Sequence, residues 1–234
     1  MGTVSKTTSG PHTIWVDGSE PQRWLDVWGP EVNKVVEEFV NTPFASANNI
    51  ASCTTTLVNA STAALVAGSL GGSLLITTAG AEDDGANIQW LGEAFLPAAG
   101  NKMYFGIKFQ VNEATENDFL VGLAITSTGA LGGVTDGIYF RKVDGSTTCS
   151  FVVESVSTET STTALTVAAN TDYILEWTWD GYQIEFYVDG TLTGTPALTN
   201  IPTAEYMSPI IQYLAGAAAV KTMTVSWLRA FQIS

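Results

Sequence analysis

The sequence predicts an all-β fold, an antiparallel two-sheet jelly-roll sandwich with an irregular N-terminal arm. Three observations predict it. From Asn101 onward, short runs alternate apolar and polar residues with a period of two. Asp-Gly pairs punctuate those runs at 17–18, 84–85, 136–137, 144–145, 180–181 and 189–190, and Asp-Gly suits the tight turns of β-hairpins because both central residues need positive φ. No convincing helix alternates with the strands, which argues against a parallel βαβ architecture. Many short strands without a fixed repeat point to a sandwich or jelly roll rather than a propeller.

Taken in order, residues 1–30 differ in character from the rest. They hold Gly10-Pro11, Gly29-Pro30, the lone His12 and three tryptophans without a period, Trp15, Trp24 and Trp28. They read as an arm or extension, and residues 31–234 as the sandwich domain. Tryptophans are costly to leave in water. Either the arm folds back onto the sandwich, or it buries Trp15, Trp24 and Trp28 in a partner, where tryptophans serve as anchors. The stretch 30–40 spaces Val32, Val35, Val36 and Phe39 as a helix would, so a short helical turn leading into a strand is expected there. Residues 54–59, 63–67 and 73–78 read as three strands between small-residue turns. Met103, Phe105, Ile107, Phe109 and Val111 share one parity, as do Phe119, Val121, Leu123 and Ile125. Further strands follow at Cys149/Phe151/Val153, Tyr173/Leu175/Trp177/Trp179, Tyr182/Ile184/Phe186/Val188 and Val225/Trp227/Arg229/Phe231/Ile233. The turns at Asp180-Gly181 and Asp189-Gly190 bracket a three-stranded meander. Trp177 and Trp179 share parity with Leu175, so core packing is their expected role.

The chain has 234 residues, 45% of them hydrophobic and only 14% charged, which excludes disorder and is ample for one large core. Nine Lys+Arg against 23 Asp+Glu leave a formal charge of −14. Phosphate backbones and anionic membrane surfaces would repel such a chain, so neither nucleic acid nor membrane is an expected partner. No apolar run approaches the roughly 20 residues of a membrane helix, and no secretory signal is legible at the start of the sequence. Cys53 and Cys149 lack metal-ligand spacing. Free buried thiols are expected, with a single bridge left open.

The run 171–190 contains Tyr173, Glu176-Trp177, Asp180-Gly181 and then Ile184, Phe186-Tyr187-Val188-Asp189-Gly190. It resembles the paired-strand signature of concanavalin A-like (laminin-G-like) lectin and glucanase jelly rolls. Three longer runs narrow the likeness: Ile88-Gln89-Trp90-Leu91-Gly92-Glu93-Ala94-Phe95, Asn117-Asp118-Phe119-Leu120-Val121-Gly122 and Thr135-Asp136-Gly137-Ile138-Tyr139-Phe140-Arg141-Lys142. They are similar to virion proteins of tailed bacteriophages met beside major capsid proteins and described as head decoration or structural proteins. The resemblance covers about residues 84–234 and leaves the N-terminal third unmatched. It implies a non-enzymatic protein on the capsid surface, made in the host cytoplasm, with the major capsid protein and copies of itself as partners. The alternative within the same fold is a lectin-like adhesion module on a head fibre or tail that binds surface glycans.

Few residues of the sequence are arranged for chemistry. A glucanase of this fold would carry a Glu-x-Asp-x-(x)-Glu strand, because retaining hydrolysis needs two carboxylates about 5–5.5 Å apart. That motif is absent, and the acidic clusters Glu37-Glu38, Glu82-Asp83-Asp84, Glu113…Glu116…Asp118 and Glu154…Glu159 do not show its spacing. Glu176 and Glu185 lie on adjacent strands and read as exposed sheet carboxylates. With His12 as the sole histidine, no nucleophilic triad is legible. Asp83, Asp84, Asn87 and Asp136 offer oxygens to calcium without a defined loop motif. No catalytic, cofactor or metal residue is therefore expected, and the chain reads as one that is not an enzyme.

Overall fold

The computed structural model describes residues 3–68 and 71–234. Three strands open the chain, β1 (Val4–Ser9), β2 (His12–Asp17) and β3 (Trp24–Trp28), and form a small antiparallel sheet of their own. The arm expected to be irregular is therefore regular from residue 4 onward, paired from Val4↔Asp17 to Thr13↔Trp28.

Next come β4 (Val32–Glu37), the short hairpin β5 (Phe44–Ser46) and β6 (Asn49–Ile50), then β7 (Cys53–Val58), β8 (Thr62–Leu65) and β9 (Leu74–Thr77). The helical turn expected after Pro30 is corrected to strand β4. Glu31 has φ of 54°, which no helix start accommodates, and the β-branched Val32, Val35 and Val36 pair along β20 instead.

The remaining strands are β10 (Gly85–Trp90), β11 (Lys102–Val111), β12 (Asn117–Ala124), β13 (Gly137–Lys142), β14 (Thr148–Ser155) and β15 (Thr158–Thr166). After them follow β16 (Asp172–Trp179), β17 (Ile184–Val188), β18 (Thr191–Gly194), β19 (Ser208–Ala215) and β20 (Thr222–Ile233). A four-residue helix, α1 (Ala130–Gly133), interrupts the connection from β12 to β13.

These strands build the two-sheet sandwich that the alternation predicts. One sheet runs β15-β14-β13-β12-β19-β10-β7; the other runs β18-β17-β16-β11-β20-β9-β8, with β4 paired to the far end of β20. All pairings are antiparallel, which fits the one-sided burial of the period-two runs. Core-facing aromatics of the two sheets interlock: Phe109 meets Phe119 edge-on at 5.2 Å, and Phe151 stacks on Phe186 at 4.7 Å. Trp177 and Trp179 are buried as their parity requires. Cys53 and Cys149 are free thiols buried in this core, and burial pushes the Cys53 thiol up to about 12.

Both outer faces of the sandwich carry cover. The N-terminal sheet lies on the outside of the eight-stranded sheet, where Ile14, Val16, Trp24 and Val27 pack on Tyr104, Phe231 and Ile233. The segment 125–136, with α1, lies on the outside of the seven-stranded sheet.

Candidate functional site

On the outer face of the seven-stranded sheet, Leu131 and Val134 of the covering segment pack on Leu120, Tyr139, Val152 and Ile210. Glutamine and asparagine side chains clamp the segment from below. Gln89 Nε2 donates to the carbonyls of Ala124 (3.2 Å) and Ile125 (2.9 Å), while its Oε1 accepts from Ser127 N at 2.9 Å. Asn87 Nδ2 donates to Ser127 O at 2.5 Å.

The covering segment borders two recesses. The smaller, of about 130 Å³, lies beside Thr54, Asn87, Gln89, Trp90 and Ser127. Among the described residues Asn87 Oδ1 has no hydrogen-bond donor, and neither does Oε1 of Gln212, its neighbour in the register. The larger, of about 190 Å³, is lined by Leu131, Val134, Thr135, Tyr139, Arg141 and Glu154, with Ser157 at its edge.

The larger recess is lined by ionisable side chains, Tyr139, Arg141 and Glu154. Strand β14 turns into β15 through Val156 and Ser157, whose φ values are 50° and 57°, so that Glu154 and Glu159 fall directly opposite each other. Opposed residues on antiparallel strands have Cβ atoms about 5 Å apart. The one-strand glucanase spacing is absent at Glu154…Glu159; a two-residue turn instead sets these two residues opposite each other across β14 and β15. Their surroundings differ. Glu154 is buried, accepts the Tyr139 hydroxyl, and is held above the usual carboxylate range chiefly by burial. Glu159 is bound by Arg141, whose Nη2 lies 2.8 Å from Oε2 and 3.0 Å from Oε1. The result is a buried carboxyl whose pKa is raised, beside an ion-paired carboxylate and flanked by a tyrosine and a guanidinium. Such a set donates and accepts hydrogen bonds in one small space, as recognition of a hydroxyl-bearing ligand requires.

The structure separates the three tryptophans singled out in the sequence. Trp24 is folded inward, stacked on Tyr104 at 5.9 Å. Trp15 and Trp28 point the opposite way and remain 38% and 62% exposed. The register puts both on the outward face of the N-terminal sheet, with Val4 and with Lys6, which pairs opposite Trp15. Lys34 Nζ sits 4.7 Å from the Trp28 ring centroid and 2.9 Å from Asp26.

Glu176 also departs from its expectation as an exposed sheet carboxylate. It is fully buried beneath the N-terminal sheet, where Arg23 Nε and Nη2 donate to its two oxygens at 2.8 and 2.9 Å and the Tyr104 hydroxyl donates at 2.7 Å. Burial raises the Tyr104 phenol well above its ordinary range. The oxygens considered for calcium are dispersed. Asp84 is capped by Asn59, Gly80 N and Ala81 N, whereas Asp136 accepts from Thr135, Ser155 and Val156 N. Among the described residues no group of three or more His, Cys, Asp or Glu stands together to hold a metal.

No family model matches the chain, and no curated protein does. Solved structures match its fold. An endo-1,3-β-glucanase from Streptomyces sioyaensis aligns with a TM-score of 0.60 at 15% identity, over 88% of this chain and 98% of its own. A Bacillus licheniformis β-glucanase aligns with a TM-score of 0.58 at 14% identity, over 85% and 97%. The carbohydrate recognition domain of Emp47p aligns with a TM-score of 0.59 at 11% identity, over 86% and 94%. The fold is that of the concanavalin A-like lectins and glucanases.

These matches correct the expectation that the chain is not an enzyme. The fold is shared with glucanases, and a missing Glu-x-Asp-x-(x)-Glu strand rules out one placement of a carboxyl pair, not catalysis as such. At such low identity the likeness establishes the architecture.

Proposed function

We propose that this chain is a structural protein on the outside of a tailed-phage particle. It is attached to the head shell and its major capsid protein through the N-terminal sheet, and it associates there with copies of itself. The observation that carries this reading is the outward face of that sheet, where Trp15 and Trp28 stand exposed on the same face as Val4. Exposed tryptophans on a rigid surface are the commonest anchors of protein interfaces. The resemblance of residues 84–234 to phage head proteins supports the same reading, and so does the charge of −14, which suits an outer layer kept clear of packaged nucleic acid. Co-sedimentation with capsids of the parent phage tests it. Wild-type protein is expected to pellet with the shells, and Trp15→Ser and Trp28→Ser are each expected to weaken binding by at least about tenfold. Wild-type protein that stays in the supernatant with intact, undecorated shells would overturn the reading.

A second reading, glycan binding by the same molecule, is favoured by the recess at Tyr139, Arg141 and Glu154 and by the glycan-binding and glycan-cleaving proteins that share the fold. A glycan array probed with wild-type protein and with Arg141→Ala addresses it. Binding that Arg141→Ala abolishes would support the recess as the contact, and an array without wild-type binding would remove this reading.

A further inference from the structure

Six Asp-Gly pairs punctuate the chain. In each, a side-chain carboxyl stands next to an amide nitrogen that no Cβ crowds, the setting in which that nitrogen can attack the carboxyl. Attack needs a carboxyl free to turn and a nitrogen free to meet it. In five pairs hydrogen bonds hold the carboxyl. Asp17 Oδ1 accepts Ser19 N at 2.9 Å and the Ser19 hydroxyl at 2.6 Å. Asp84 accepts from Asn59, Gly80 N and Ala81 N, and Asp136 from Thr135, Ser155 and Val156 N. Asp180 Oδ1 accepts Tyr182 N and Gln183 N, both at 2.8 Å, and Asp189 Oδ1 accepts Ile174 N at 2.8 Å. Three of the glycines are fixed as well. Gly18 N donates to Thr3 O, and Gly85 and Gly137 are buried where they open β10 and β13.

Asp144-Gly145 differs on both counts. It lies in the turn from β13 to β14, just beyond the pair Lys142↔Cys149. Among the described residues the Asp144 carboxyl makes no hydrogen bond or ion pair, and Gly145 N has no acceptor. The main-chain N of Asp144 donates to Asp118 Oδ1 at 2.7 Å, which anchors the residue on its N-terminal side alone. Gly145 has φ of 69° and is exposed, as no other glycine of the six pairs is. Exposed turns with few hydrogen bonds are the segments of a fold that open most readily.

We propose that Asp144-Gly145 is a modification site, at which the folded chain forms isoaspartate. Gly145 N adds to Asp144 Cγ. The amide proton and one carboxyl oxygen, with a proton from solvent, leave as water and close a succinimide. Water then adds to one of the two ring carbonyl carbons. Addition at Cγ restores aspartate. Addition at the main-chain carbonyl carbon breaks its bond to Gly145 N, returns the proton to solvent and leaves a free carboxylate there, with the chain now running through Cβ and Cγ. No oxidant or reductant enters, and the final mass is that of the sequence. The product lengthens the backbone of the turn by one carbon beside the Asp144–Asp118 hydrogen bond.

Peptide mapping with electron-transfer fragmentation, which tells isoaspartate from aspartate, tests the proposal. Full-length protein is kept folded at neutral pH and physiological temperature for several weeks, beside a sample unfolded in guanidinium chloride. In the folded sample isoaspartate is expected at residue 144 at several-fold the level of any other Asp-Gly pair, and in the unfolded sample it is expected to spread over all six. Asp144→Glu, which cannot close the five-membered ring, is expected to abolish it at an unchanged melting temperature. Folded protein without isoaspartate at 144, or with as much at another Asp-Gly pair, would overturn the proposal. So would the same preference for 144 in the unfolded sample, since the local sequence rather than the fold would then select the site.

Discussion

Val156 is β-branched, 81% exposed and held at φ of 50°, a conformation that such residues avoid. The turn at 156–157 nevertheless sets Glu154 opposite Glu159. Replacing Val156 with Asn relieves the strain while keeping the turn, and is expected to stabilise the protein by about 1 kcal/mol in thermal or urea denaturation. Unchanged or lower stability would mean that the valine is not strained there. Arg23 and Glu176 behave oppositely. Removing Arg23 leaves a fully buried carboxylate with the Tyr104 hydroxyl as its remaining hydrogen-bond donor among the described residues, and Arg23→Ala is expected to cost about 3 kcal/mol of unfolding free energy. Little of this is legible in the sequence. Period two shows which face a residue takes but not what lies over that face, so Glu176 reads as exposed until the N-terminal sheet is known to cover it. A Glu-Ser-Val-Ser-Thr-Glu hairpin, by contrast, could have been found by asking which acidic residues flank a two-residue turn equally.

Most elements are legible because alternation and Asp-Gly turns carry one message. The runs from Met103, Phe119 and Tyr173 fall in β11, β12 and β16 with the core parity expected of them, whereas of the run from Tyr182 only Ile184 and Phe186 are buried in β17 and Tyr182 stands exposed ahead of the strand. Two elements escape for separate reasons. The spacing of Val32, Val35, Val36 and Phe39 mimics a helix, yet the free edge of β20 supplies backbone partners that a lone turn lacks. The N-terminal strands are short, the first is rich in Thr and Ser, and they are stabilised by packing that the sequence does not display: Trp24 on Tyr104 and Phe231. The cover over the seven-stranded sheet depends on Gln89, which both donates to and accepts from the segment 125–136. Gln89→Ala is therefore expected to speed amide hydrogen exchange at Ser127 while costing the whole fold only about 1–3 kcal/mol. Unchanged exchange at Ser127 would show that the apolar contacts of Leu131 and Val134 hold the segment by themselves.

For the whole molecule, an excess of acidic groups meets a rigid two-sheet block covered on both faces by its own chain. Several carboxylates are held below their ordinary range, Asp84 first by the Asn59 side chain and Asp17 first by the Ser19 hydroxyl. A depressed folded pKa contributes stability above the unfolded value, near 3.8 for Asp, that is lost as pH falls through the folded value. The melting temperature is thus expected to drop as pH falls below about 4, and the drop is expected to be shallower in Asp84→Asn. A melting temperature that holds steady to strong acid would contradict this. The molecular reading joins that block to a particle surface through Trp15 and Trp28. An electron-microscopy reconstruction of the intact parent phage examines it most directly. The account predicts ordered density for this sandwich on the outside of the head, with the N-terminal sheet turned toward the shell; a head whose surface density is fully explained by other proteins would contradict it.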